Sequence, residues 1–373
     1  MVKLLHTSDI HLGKKLSSLL GKRADEGRAA LKKAFQKSVT LAIKEKVNLF
    51  LLAGDLFDNN NPSKETIDFV RAEFKKLEKA NIPLAILPGT HDCLTENSIY
   101  RKVDFAKEFS NVFIFLKEET RFYSDLELAL TARPNLSRTS RKSPLLGLKP
   151  DPGKKFNVAM AHGSLQIPGK SSEIDYPITL EEIERSDFDY IALGHWHGLY
   201  ECPTKKVKAF YAGAPEVIDF RSAKAGNVLL VEISETGVKA DQVRVGEKYF
   251  ERVEIGISKI TDILELEEKI LEDATSNLIR EVILKGERKP DLLAPFSSLE
   301  ERLKENFFGL RIIDKTVFRL EDVKVENYPE NLVIGQFVRH MKEKIEASSE
   351  TEKPVLEKAL EVGIHLLEGK ENI

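Results

Sequence analysis

Five short apolar runs in the N-terminal part of the chain each end in side chains able to bind a metal, and no other feature restricts the fold so tightly. Leu4-Leu5 leads into Thr7-Ser8-Asp9-Ile10-His11, and Leu49-Phe50-Leu51-Leu52-Ala53 into Gly54-Asp55. Leu84-Ala85-Ile86-Leu87 leads into Pro88-Gly89-Thr90-His91-Asp92. Val158-Ala159-Met160-Ala161 ends at His162-Gly163, and Tyr190-Ile191-Ala192-Leu193 at Gly194-His195-Trp196-His197. Helical periodicity fills the early gaps: Leu31, Ala34, Phe35, Ser38 and Ala42 share one face. A second helix is predicted from Ser63, a capping residue after Pro62, to Lys79. Strand alternating with helix implies α/β crossovers, and in such sheets the carboxyl ends of the strands open onto one crevice. All five motifs then share one edge.

The residue types suit metal chemistry. Asp9 and His11, one residue apart in an extended segment, can point the same way. Glycines before Asp55, Thr90 and His195 allow tight turns and close approach to an ion. Imidazole with carboxylate fits manganese, iron or zinc. Two such ions, about 4 Å apart and bridged by a carboxylate, clamp a phosphodiester for in-line attack. Asp55 is the candidate bridge.

The series Asp-x-His, Gly-Asp, Gly-x-His-Asp, His, Gly-His-x-His resembles the calcineurin-like metallophosphoesterase superfamily. His6-Thr7-Ser8-Asp9-Ile10-His11-Leu12-Gly13 and Gly54-Asp55-Leu56-Phe57-Asp58 resemble its DNA-repair branch, the SbcD-type or Mre-eleven-like nuclease subunit. The resemblance implies an α/β fold: a metallophosphoesterase β-sandwich flanked by helices, with a smaller α/β capping domain and a C-terminal helical hairpin. It implies two divalent ions, Mn2+ foremost, with Fe2+ and Zn2+ also suited. Asp9, His11 and His197 would hold one ion, His162 and His195 the other, with Asp55 between them. His91 would protonate the leaving oxygen or stabilise charge on phosphorus, oriented by Asp92 through its other ring nitrogen. The family's usual Asn ligand is replaced by Thr90, a shorter and poorer donor, which weakens the second site or leaves it to be completed by water.

Of the 8 histidines, five fall in the motifs. His6 reads as a buried residue behind them, and His340 and His365 as packing or solvated residues of C-terminal helices. Asp58 is equally readable as a brace behind the ligands or as a cap. Trp196 reads better as a cover behind the site than as a stacking platform. Gly169-Lys170-Ser171 lacks the first glycine of a phosphate loop, since Ser164 stands there. Lys14, Lys15, Lys22 and Arg23 follow the first motif and are candidate DNA contacts. Between Arg133 and Lys155, seven cations face only Asp151, and phosphate binding and a solvated surface are equally open there.

At 373 residues, with 42% hydrophobic residues, the chain can build more than one core. Its net charge of −3 neither requires nor excludes nucleic acid. No apolar run reaches the roughly 18 residues of a membrane span, and no signal peptide is evident. Two cysteines, Cys93 and Cys202, fit a reducing, cytoplasmic setting.

The expected division is residues 1–248 for the nuclease domain, 249–325 for the capping domain and 326–373 for a partner-binding segment. That segment carries two apolar stripes, Ile334, Phe337, Val338, Met341 and Ile345, then Leu356, Leu360, Ile364 and Leu367. By the resemblance it grips an SMC-like ATPase of the SbcC type, leaving one helix face free to pair; a homodimer is implied by the family alone. The expected function is a manganese-dependent DNA exonuclease and endonuclease acting at duplex ends. The rivals are a phosphatase or cyclic-nucleotide phosphodiesterase, and a weakly active DNA-end scaffold.

Overall fold

The computed structural model describes residues 1–16, 22–167, 169, 171–217, 219–220, 222–288, 296–318, 323 and 325–367. They form two compact units, Met1–Tyr249 and Phe250–Ile373. The first runs β1 (Val2–Thr7), α1 (Lys22–Lys44), β2 (Leu49–Ala53), α2 (Lys64–Lys79), β3 (Leu84–Leu87), α3 (Ile99–Lys102), α4 (Phe105–Glu108) and β4 (Val112–Ile114). It continues through β5 (Glu119–Tyr123), β6 (Leu128–Ala132), β7 (Phe156–His162), α5 (Leu180–Glu184), β8 (Tyr190–Gly194), β9 (Tyr200–Glu201), β10 (Lys208–Tyr211), β11 (Asn227–Ser234) and β12 (Gly237–Arg244).

Two six-stranded sheets result, ordered β12-β11-β1-β2-β3-β4 and β5-β6-β7-β8-β10-β9. Side-chain alternation explains how they stack. In β2 every residue is buried. Leu49, Leu51 and Ala53 face Leu130, Val158, Met160 and Ala192 of the other sheet. Phe50 and Leu52 face the opposite way, into a core with Leu31 and Phe35 of α1 and Val70 and Phe74 of α2. Strands buried on both faces lose the polar alternation of a half-exposed strand, which is why these runs are continuously apolar. α2 begins where expected, with the Ser63 side chain accepting from Thr66 N.

The five motif-bearing strands do not share one sheet. β1, β2 and β3 lie parallel in the first, β7 and β8 parallel in the second. The site therefore forms where the carboxyl edges of two stacked sheets meet, rather than in the crevice of one open sheet.

His6 lies between the sheets and is fully buried. Its Nε2 is 3.2 Å from the Leu193 carbonyl and its Nδ1 is 2.8 Å from the Tyr190 hydroxyl. A neutral ring satisfies both, donating through Nε2 and accepting at Nδ1. Burial lowers its pKa from 6.5 to about 3. The unfolded chain therefore takes up this proton first as pH falls, and stability is lost from pH 6.5 downward. Each pH unit costs about 1.4 kcal/mol. Chemical denaturation between pH 6.5 and 4.5 should show a slope shallower by one proton in His6→Gln than in the parent; equal slopes would contradict this assignment.

The second unit contains β13 (Tyr249–Gly256), α6 (Ile263–Leu271), β14 (Leu278–Arg288), α7 (Phe296–Leu303), β15 (Gly309–Phe318), α8 (Val333–Glu346) and α9 (Lys353–Leu367). Its sheet is ordered β13-β14-β15, with β14 and β15 parallel. Leu266, Ile270, Val282, Leu299 and Leu303 make its core. Ser297 and Ser298 lie within α7. β15 runs unbroken from Gly309 to Phe318.

The apolar stripes of α8 and α9 pack on each other, burying Val338, Met341, Leu360 and Ile364. This corrects the expectation that one stripe stays free: a helix pair in water gains most by facing its apolar stripes inward. Of the stripe residues Leu367 stays exposed, as do Val333 and Val355 outside the stripes. Among the described residues no helix is long and apolar enough to cross a membrane.

Candidate metal centre

The edges of the two sheets touch through glycines. A Cβ on Gly194 would lie 1.8 Å from the Ala53 carbonyl, and one on Gly54 2.0 Å from His162 Nδ1. One on Gly89 would meet Asp55 Oδ1 at 2.2 Å. These glycines make room for strand against strand and for the ligand side chains themselves, a stronger constraint than the tight turns expected from sequence.

Asp9 and His11 are not in an extended segment. Their φ angles are 54° and 51°, and Asp55 (53°) and His195 (108°) are also positive. Such backbone costs about 1–3 kcal/mol per non-glycine residue and persists only when held. Here Asp9 N donates to Gly54 O at 3.0 Å and His11 N to Asp55 O at 3.0 Å. His195 N donates to the Asp9 carboxylate, at 3.0 Å from Oδ2.

Two groups join the expected ligands, Asp9 with His11 and His197, and Asp9 with Asp55 and His162, each with its donor atoms within 4.8 Å; a third, His11 with Asp58 and His91, meets the same limit. His11 Nε2 and His197 Nε2 face each other at 3.0 Å. Ligands held about 2.1 Å from one ion lie at such separations. Asp9 belongs to both groups, and Asp55 Oδ2, 3.3 Å from His162 Nε2 and 3.9 Å from His11 Nε2, reaches from the second toward the first. His162 Nδ1 donates to Ala53 O at 2.9 Å, so Nε2 is the nitrogen that faces Asp55 and would offer its lone pair to a cation there. Thr90 Oγ1 lies 3.2 Å from Asp55 Oδ2 and 3.5 Å from His162 Nε2, so the hydroxyl sits among the second group. His195 lies outside both groups: its ring centroid is 5.3 Å from that of His162, and its Nε2 meets Asp175 Oδ2 at 2.7 Å.

The electrostatics call for cations. Burial pushes the Asp55 carboxyl up, but the charge and hydrogen bond of His162, with the charges of His11 and His91, hold it well below the usual range. His162 is reciprocally raised to about 10: burial opposes its charge, and Asp55 and Asp9 outweigh burial. His197 is driven down to about 4 by burial, so it stays neutral and available as a ligand. Buried carboxylates kept ionised beside the neutral His197 ring, and beside a His162 proton that an incoming cation would displace, form a donor set suited to borderline divalent ions, so the residues present fit the implied metals.

His91 differs from the ligands in access. Its side chain is 43% exposed, against 2% for His11 and 0% for His162. Its Nδ1 donates to the Asp58 carbonyl at 3.0 Å. Asp92 therefore does not orient the ring, contrary to the sequence expectation. Its carboxylate instead accepts from Gly89 N at 2.7 Å, Phe57 N at 3.1 Å and Tyr100 OH at 2.7 Å. A residue whose side chain points back to brace its own turn cannot also reach its neighbour's ring. Burial, then the charge of Asp55, raises the Asp92 pKa to about 6.

Asp58 proves to be a brace rather than a cap, with Oδ1 3.4 Å from His11 Nδ1. Trp196 stacks on Tyr211, centroids 4.8 Å apart, and donates to Ser164 Oγ at 3.1 Å, a cover behind the site. Sequence reasoning missed Asp175, and Asn135, whose amide donates to His162 O at 3.0 Å. Neither belongs to a motif, and both lie in irregular loops with no periodic signal.

Of the candidate DNA contacts, Lys14 acts electrostatically on Asp58 and His197 and so borders the site. Lys15 is exposed beside it. Lys22 and Arg23 belong to the first turn of α1, where Lys22 pairs with Glu26 at 3.7 Å. In the second basic stretch Arg133 pairs with Glu118 and Lys155 with Glu235, leaving Arg138, Arg141, Lys142 and Lys149 exposed. Lys170 of the rejected phosphate loop lies outside the described residues.

Several known proteins are similar to the chain. The family described as calcineurin-like phosphoesterase matches residues 2–199. The chain is 28% identical over 199 residues to the DNA double-strand break repair protein Mre11 of Sulfurisphaera tokodaii, covering 52% of this chain and 49% of that protein. It thus spans about half the length of that relative. Identity is 26% over 306 residues to the protein of the same name from Saccharolobus solfataricus, covering 79% of this chain and 78% of that one. It is 26% over 241 residues to a subunit of the nuclease SbcCD from Staphylococcus epidermidis, covering 57% and 61%. With its ligand motifs meeting at one double-sheet edge and the family match running from residue 2 to residue 199, the chain belongs to the calcineurin-like phosphoesterase family.

Proposed function

We propose that the protein is a two-metal phosphodiesterase that cuts DNA, the nuclease subunit of an SMC-like ATPase complex in break repair. The observation that carries this reading is Asp55 Oδ2 standing between His11 and His162, with the exposed His91 alongside. Asp9, His11, Asp55 and His197 would hold one ion and Asp55, Thr90, His162 and His195 the other. Bound there, two divalent cations activate water and neutralise charge on the phosphoryl oxygens.

The chain's own groups do the rest. His91 Nδ1 is committed to Asp58 O, so Nε2 is the atom that meets substrate. Burial lowers its pKa, and the anionic phosphodiester against Nε2 draws a proton onto it for the leaving oxygen. Lys14, with Lys15 beyond it, would attract a phosphate backbone. The names of the relatives, a DNA double-strand break repair protein and a subunit of a nuclease, support DNA as the substrate and a place in a multi-subunit nuclease. In this reading residues 249–325 cap the site and residues 326–373 bind the ATPase.

Incubation of linear duplex DNA with the protein and Mn2+, beside an EDTA control, tests the proposal. Mn2+-dependent shortening or nicking is expected. Turnover of a small phosphodiester such as bis-p-nitrophenyl phosphate without cutting of DNA, even with the ATPase supplied, would favour a small-molecule phosphodiesterase instead.

A further inference from the structure

We propose that Asp175 is a positioning residue for the second metal: its carboxylate fixes the His195 ring so that Nδ1 is presented to the ion. The inference rests on the two-metal reading above. Asp175 Oδ2 lies 2.7 Å from His195 Nε2. An ionised carboxylate only accepts, so Nε2 carries a ring proton and Nδ1 is the nitrogen left to offer a lone pair to a cation. His195 needs such a restraint more than the other imidazoles. Its backbone sits at φ 108°, and its ring is 20% exposed, whereas those of His11 and His162 are closely packed.

Asp175 is itself registered to the strand that carries His162. Its carbonyl accepts from Ser164 N at 3.0 Å, two residues beyond that ligand. Tyr176 N donates to Ser140 O at 2.9 Å, and Ser137 N donates to the Tyr176 hydroxyl at 3.2 Å. Gly163 lets the segment dock, since a Cβ there would lie 2.2 Å from Tyr176 O. The loop holding Asp175 and the strand end holding His162 therefore move as one piece, and the carboxylate keeps the two imidazoles of one ion in register. Carboxylates behind metal-bound histidines fix tautomer and ring angle, and their loss weakens metal binding by about 10–100-fold.

The test is titration of the full chain with Mn2+, followed by calorimetry and by electron paramagnetic resonance, for the parent, Asp175→Ala and Asp175→Asn. The parent should bind two ions and show the signal of an exchange-coupled pair. In Asp175→Ala one ion should keep its affinity while the other binds about 10–100-fold more weakly. The coupled signal should give way to that of isolated Mn2+ at the same loading. Asp175→Asn should recover part of the loss, because its amide oxygen still accepts from Nε2. Parental affinity for both ions in Asp175→Ala would overturn the proposal. So would equal weakening of both ions together with a lower melting temperature in EDTA, which would make Asp175 a structural residue. A parent that binds fewer than two ions would overturn the two-metal reading itself and this inference with it.

Discussion

His91→Gln is expected to slow Mn2+-dependent DNA cleavage by about 10²–10⁴-fold while Mn2+ and DNA binding stay at parental levels. The split follows from geometry. The ring is 43% exposed, and its Nδ1 is spent on the Asp58 carbonyl. It belongs to none of the contacts around Asp55 Oδ2, although its backbone N donates to Asp55 Oδ1 at 2.8 Å. Glutamine keeps that backbone bond and removes only the titratable ring. Calorimetric Mn2+ titration and a gel-shift assay, run beside single-turnover cleavage, separate the two effects. Cleavage within a few-fold of the parent would mean another group supplies the proton; loss of ion binding would mean His91 is a ligand.

Asp55→Asn should have the other large effect, removing both ions at once. Asp55 is 1% exposed, and its Oδ2 lies 3.3 Å from His162 Nε2 and 3.9 Å from His11 Nε2. Replacing the shared charge with a neutral amide deprives each ion of the same ligand, so affinity for both should fall by more than about 100-fold and cutting should be undetectable. The substitution also leaves His162 without the partner that holds its pKa at about 10. Breaking a buried pair costs about 3–5 kcal/mol when a charge is stranded, but His162 can shed its proton, so the loss should be smaller near neutral pH. Melting in EDTA measures that term, and calorimetry measures the ions. Retention of one ion at parental affinity would show that Asp55 serves a single site.

Much of the candidate site was legible in the sequence because metal ligation restricts chemistry. Asp9, His11, Asp55, His162 and His197 are residue types that few roles besides ligation bring together at strand ends, and they do converge. Orientation was not legible. Asp92 follows His91 directly, yet its side chain turns back to Gly89 N and Phe57 N, and a main-chain carbonyl takes the ring proton instead. No sequence pattern distinguishes a carboxylate that braces a turn from one that braces an imidazole. Asp175 and Asn135 were invisible for a related reason: their partners lie 20 and 27 positions away, on other elements.

The sequence by itself determined the apolar strands and the ligand-type side chains at their ends, since each follows from local residue type and period. Only the tertiary structure decided that the strands belong to two sheets, that α8 and α9 close on each other, and which nitrogen of each imidazole is free. Those outcomes depend on hydrogen bonds and clearances between distant segments. The clearest case is Gly194, where the missing side chain lets Ala53 O come close enough for two sheets to share one metal site.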